Sequence, residues 1–155
     1  MAKFKMELPT DIMKDIKYIE NNSDKIFGEM TKAGAQTVLS NVKANAPLSE
    51  LSSHAKLTKI YKTPTDDGIN TKVIMTGYIP FSTPNRKYFT RRGGNGRFYS
   101  TDKGVPVDFL VKLYEYGRST RSFPKKPFFR KSFNKAQIER AMLNAQKQYS
   151  KGLLK

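Results

Sequence analysis

Apolar residues recur at helical spacing from the start of the chain. Ile12, Ile16 and Ile19 stand four and three positions apart in DIMKDIKYIE, which predicts a short helix over 11–20 with Thr10 as a cap behind Pro9. The polar triplet Asn21-Asn22-Ser23 is expected to break it. Ser23 then caps a longer helix reaching about Asn45, with Phe27, Met30, Gly34, Val38 and Val42 on one stripe. Glycine inside a helix costs ~1 kcal/mol relative to alanine, so Gly28 and Gly34 on that face predict another backbone passing close by. Pro47 ends the helix, because the residue before a proline avoids the helical region.

Beyond a polar loop at 48–56 the period changes. The runs LTKIYKT and INTKVIMTGYI, separated by Pro64 and the turn signal Asp66-Asp67-Gly68, predict an antiparallel hairpin. Residues 80–105 predict a second, projecting hairpin, in which RKYFT and RFYST flank a glycine-rich tip at 91–96. Pro106 and Gly117 bracket a short helix in VDFLVKLYEYG, as proline suits a helix start and glycine its end. The last helix is expected from near Pro127 to about Gln148, on the stripe Ile138, Ala141, Met142, Ala145 and Tyr149. No internal repeat or low-complexity tract interrupts this order. These elements predict one α+β domain over 1–155, with long N-terminal and C-terminal helices packed on a small antiparallel sheet and a basic hairpin arm at about 80–105.

Charge divides the chain. Residues 1–80 carry 11 Lys+Arg and 9 Asp+Glu, net +2, whereas residues 81–155 carry 18 and 4, net +14. All eight arginines lie in the second part. A field so uneven implies an anionic partner or an acidic protein surface, because it speeds encounter and sets orientation. The start of the chain has no apolar core of signal-peptide length and no segment reads as a membrane span, so the expectation is a protein made in the cytoplasm without membrane contact.

The chain has no cysteine, which removes disulfides, thiolate nucleophiles and cysteine-based zinc sites. His54, the only histidine, stands among Ser49, Ser52 and Ser53 with Glu50 four residues back, and no further carboxylate is placed to orient it as a catalytic base. One histidine and scattered carboxylates supply no metal-ligand spacing. The tip GGNGR is followed by no Gly-Lys-Ser/Thr and fits no nucleotide-binding loop. No catalytic residue, cofactor or metal is therefore assigned.

The arm interleaves Arg86, Lys87, Arg91, Arg92 and Arg97 with Tyr88, Phe89, Phe98 and Tyr99. Arginines neutralise phosphates while rings stack on exposed bases, so the pattern suits nucleic acid. It suits a protein interface equally, since tyrosine and arginine dominate interface hot spots. The stretch FPKKPFFRKSF poses the same choice in smaller compass. Its rings, Phe128, Phe129 and Phe133, predict a hydrophobic anchor for the last helix, and Lys125, Lys126, Arg130 and Lys131 are expected to remain in water.

Tyr114-Glu115-Tyr116-Gly117, a basic loop, and Pro127-Phe128-Phe129-Arg130 follow one another in an order that resembles the tail-completion, or neck, proteins of long-tailed bacteriophages. In that family a short helix ending in aromatic-Glu-aromatic-Gly precedes a Pro-Phe-hydrophobic-Arg start to the C-terminal helix, and the N-terminal helix ends in a Lys-x-x-Ala-Pro variant. Here Lys43, Ala46 and Pro47 keep the latter. The likeness covers about residues 23–63 and 107–150 and leaves the arm unmatched. Departures occur at Glu50-Leu51, where Gly-x-Leu is common, at Leu110-Val111 and at Lys131-Ser132, where the family has Pro-Ala. The resemblance implies a structural virion protein, not an enzyme. It implies a ring of identical subunits at the head–tail interface, in contact with head-connector and tail proteins and near the DNA channel. A basic nucleic-acid-binding protein is the alternative.

Overall fold

A computed structural model describes residues 10–63, 68–82, 88–91, 98–101, 103–117 and 125–150. The first element is one continuous helix, α1, Thr10–Asn45, not two. The expected break at Asn21-Asn22-Ser23 does not occur. Asn22 donates its side-chain amide to the Tyr18 carbonyl at 2.9 Å and Ser23 its hydroxyl to the Glu20 carbonyl at 3.1 Å, so both side chains bond back onto the helix they were expected to end. The apolar phase of Ile12, Ile16, Ile19, Ile26 and Met30 also runs through the triplet unbroken.

The stretch read as a polar loop forms a short helix, α2, Ser49–Ser53, whose Leu51 is wholly buried, and then strand β1, Ala55–Leu57. β2 (Tyr61–Lys62) pairs with β3 (Ile69–Asn70), and β1 with β4 (Val73–Met75), both antiparallel as expected. The registers of the two ladders, Leu57 opposite Val73 and Tyr61 opposite Asn70, set three residues of one strand against two of the other. That offset is a bulge, which bends the hairpin around α1.

β5 (Tyr78–Ile79) pairs antiparallel with β8 (Val105–Pro106), closing the base of the excursion between them. Within the excursion β6 (Tyr88–Arg91) pairs with β7 (Phe98–Thr101), as the second hairpin predicts; its tip at 92–97 lies outside the described residues. Gly104 is required at the closure, for its φ is +118° and a Cβ there would lie 2.0 Å from the Ile79 carbonyl oxygen.

Helix α3, Val107–Tyr116, follows at once and is bracketed by Pro106 and Gly117 as expected. The final helix, α4, is Lys135–Ser150. It begins eight residues after Pro127, because a 3-10 turn, Arg130–Ser132, intervenes, and because Asn134 accepts the Gln137 N–H at 3.3 Å as an N-cap. α4 packs antiparallel to α1, with Gln137 beside Asn41 at one end and Gln146 beside Ile19 and Phe27 at the other. The backbone approach expected at Gly34 is a side-chain approach from this helix: a Cβ there would meet Met142 at 3.1 Å and Ile138 at 3.2 Å.

The fold is thus α+β, two long helices against short antiparallel strands. Its core gathers Val38, Val42, Leu51, Ala55, Met75, Val107 and Phe128. All of these except Phe128 come from the last turns of α1 and the elements laid on them. The first turns of α1 stand clear of that core.

Candidate functional site

The helix α3 presents Glu115 inward. Gly117 ends the helix with φ +75° and donates its N–H to the Leu113 carbonyl at 2.8 Å, so the chain turns back beside α3. Lys126 then donates its N–H to the Tyr114 carbonyl at 2.9 Å. This brings the next residues onto the Glu115 carboxylate, whose side chain is only 6% exposed. Oε1 accepts the backbone N–H groups of Phe128 at 2.9 Å and Phe129 at 2.6 Å, and Oε2 accepts Arg130 Nε at 2.9 Å. Arg130 also donates to the Glu115 carbonyl at 3.2 Å and lays its guanidinium over the Tyr116 ring at 5.2 Å. Charge-assisted bonds of this kind satisfy a buried carboxylate that would otherwise be costly.

The clasp extends to the helices. Ser132, 1% exposed, donates to the Phe128 carbonyl at 2.6 Å and accepts from Asn45 at 3.3 Å, while Asn41 donates both to the Ser132 carbonyl at 3.1 Å and to the Gln137 side chain at 2.9 Å. Phe128 is buried, edge-on to Tyr114 and Phe129. Glu115, Gly117, Pro127, Phe128, Phe129 and Arg130, singled out in the sequence, therefore meet in one structure. Ala46 and Pro47 are half-buried where α1 gives way to α2, and Ala46 packs on the same core. Two expectations are corrected. Arg130 does not stand free in water but pairs with Glu115, and Phe133 is 54% exposed instead of buried as an anchor. Ser132, Asn41 and Asn45 were missed, although two asparagines four apart on a helix share a face and could have suggested a common partner.

Of the arm, Tyr88, Arg91, Phe98 and Tyr99 lie on the paired strands, with Arg91 opposite Phe98 and Thr90 opposite Tyr99. Arg86, Lys87, Arg92 and Arg97 lie outside the described residues. His54 shares a hydrogen bond of 3.0 Å between Nδ1 and the Thr76 carbonyl, so its ring is held by β4's end. Ser52 and Ser53 donate to the Ser49 and Glu50 carbonyls, each at 2.7 Å, and Ser49 reaches Glu50; these bonds turn the hydroxyls toward the turn itself. Among the described residues no group of three acids or histidines could hold a metal ion, and no helix is long and apolar enough to cross a membrane.

Two surfaces remain exposed and apolar. On the first turns of α1, Ile12, Met13, Ile16 and Ile19 are all close to half exposed, and Phe27 follows them. On α3, Phe109, Leu113 and Tyr116 line a shallow trough with Lys112 and Gly117. A third concavity of about 490 Å³ lies between α1, α4 and β3–β4, bordered by Gly34, Ile138, Met142 and Phe133. No protein-family model matches the chain, and no curated protein or solved structure matches it significantly.

Proposed function

We propose that this chain is a structural subunit of the junction between a bacteriophage head and its tail, assembled as a ring of identical copies. The observation that carries the reading is the projecting half of α1, where four large apolar side chains in two turns face water. Exposed apolar surface of this kind marks a site buried on association. The identity of the assembly comes from the resemblance, whose residues Glu115, Gly117 and Pro127 to Arg130 are tied into one clasp that fixes the C-terminal helix. The chain belongs, on this reading, to the virion neck, and head-connector and tail proteins are its neighbours.

A second reading is supported by the net charge of +14 in residues 81–155. That charge suits duplex DNA, bound alone or within a channel lined by the ring. One variant distinguishes the two. Arg91, Arg92 and Arg97 replaced together by serine should leave the fold intact, as exposed charges contribute little to stability. Electron microscopy should then find heads and tails as separate particles. Productive particles at parental yield would remove the arm from assembly. Tight, sequence-selective binding of free duplex by the parent chain would promote the DNA reading, since a patch that only neutralises phosphates binds weakly, non-specifically and with steep salt dependence.

A further inference from the structure

The two exposed apolar faces carry opposite charge and cannot meet within one chain. Residues 10–30, which contain the α1 face, hold five acids and three lysines, a net of −2 in a protein of net +16. Asp11 and Asp15 flank Ile12, Ile16 and Ile19 directly. The α3 face is bordered instead by Lys112 and by the loop that returns along α3, which carries Lys125, Lys126, Arg130 and Lys131. Its acids are already engaged: Glu115 is buried under Arg130, and Asp108 lies 4.0 Å from Lys112. Tyr116, 62% exposed with a guanidinium on one side of its ring, offers the kind of aromatic–cation surface that anchors interfaces.

Distance separates the faces. α3 packs through Val107, Leu110 and Val111 on the core at Val38 and Val42. Ile16 lies 26 residues before Val42 in the same helix, about 40 Å away at 1.5 Å per residue. Two complementary patches that far apart on a rigid body can be joined only between molecules.

We propose that the projecting half of α1 in one copy docks on the α3 face of the next, apolar stripe on the trough formed by Phe109, Leu113 and Tyr116, acids toward the cations of the 125–131 loop. The occupant is a second copy of this chain. A symmetric α1-to-α1 coil, the other use of such a stripe, would set two acidic segments together and leave two strongly basic halves uncompensated. The contact is therefore heterologous: each copy gives one face and receives on the other, which generates a ring where the rotation closes. The inference rests on the subunit-assembly reading above and names its two faces.

The absence of cysteine makes disulfide trapping clean. Full-length chains bearing Ile16→Cys, Lys112→Cys or both are purified, matched to the parent by circular dichroism, concentrated and oxidised with copper–phenanthroline. Lys112→Cys leaves the Arg130–Tyr116 stack in place. The double variant should give a ladder of disulfide-linked oligomers on non-reducing gels, and each single variant should stay monomeric. Mixing the two single variants should give dimers and nothing larger, since each copy then offers one reactive face. A dimer from either single variant alone overturns the proposal in favour of symmetric pairing. A double variant that stays monomeric at millimolar concentration overturns it too, and gives the α1 face to a different protein. The ladder reads the contact whatever particle it serves. Failure of head–tail joining with the ladder intact would reject the phage reading and leave this contact standing.

Discussion

Arg130 donates its Nε to Glu115 at 2.9 Å across a steep gradient of exposure, the arginine side chain 61% exposed and the carboxylate 6%. The two partners are therefore not equivalent. Glu115 holds two backbone N–H groups as well as the guanidinium, so its replacement by glutamine turns an acceptor-only group into one that presents N–H to N–H. Glu115→Gln should destabilise by about 2–3 kcal/mol, the scale of buried bonds to a charged acceptor. Arg130→Ala removes a largely solvated pair and should cost about 1 kcal/mol. Denaturant unfolding of the two variants checks the order; equal losses would mean that the ion pair, not the backbone clasp, holds the loop.

Two glycines answer differently to the same added methyl group. At Gly34 the neighbours are the flexible ends of Met142 and Ile138, and alanine gains about 1 kcal/mol of helix propensity to set against their displacement. Gly34→Ala should therefore melt close to the parent, whereas Gly34→Leu should lose about 1–3 kcal/mol by pushing α4 away. At Gly104 the neighbour is the Ile79 carbonyl and φ is positive, so nothing can yield without breaking the β5–β8 pairing. Gly104→Ala should cost about 3 kcal/mol or more. Thermal melts that rank Gly104→Ala with Gly34→Ala would show that this closure is not rigid.

What the sequence makes legible here is local chemistry. Pro106 and Gly117 bound α3 because each favours its position through its own backbone, whatever surrounds it. The nested hairpin follows from two extended runs around a turn signal. The errors lie where a side chain chooses between partners at a distance. Asn22 and Ser23 favour a cap in isolation, yet α1 continues because its apolar phase persists through them and their side chains bond back to Tyr18 and Glu20. Pro127 suits a helix start, yet the Phe128 and Phe129 N–H groups are claimed by Glu115, so the helix waits until Asn134 can cap it. The motif Tyr114 to Gly117 and Pro127 to Arg130 was visible as two short patterns; that they are the two halves of one clasp depends on the turn at Gly117, which spacing alone does not encode.

Phe128 and Phe133 belong to the same aromatic run and should behave oppositely. Phe128 is 3% exposed among the core residues and touches Tyr114 edge-on. Truncation to alanine should cost about 3–5 kcal/mol, enough to unfold a marginal domain. Phe133 lies against Phe129 at 5.8 Å but faces the groove beside Ile138, largely in water. Phe133→Ala should stay within about 1 kcal/mol of the parent. If urea unfolding gave both variants the same loss, the run would be packed as a unit and the exposure of Phe133 would have no energetic meaning.

The continuity of α1 hides a division of stability along it. Its last turns bury Val38 and Val42 beneath α3, Leu51 and Phe128, whereas its first turns carry Ile12, Ile16 and Ile19 into solvent with no core behind them. Helical hydrogen bonds are the same in both halves, but an unpacked helical segment is marginal in water, and only packing raises the free energy of local opening. Amides of residues 12–20 should therefore exchange at least ~100-fold faster than those of residues 38–45 in the dilute subunit. In the assembled protein the first turns should slow toward the last, because the face on the next copy supplies the packing they lack. Protection equal along the whole helix in a subunit shown by sedimentation to be monomeric would mean that the α1 stripe is already covered within its own chain, and there would be no free surface for a neighbour to take.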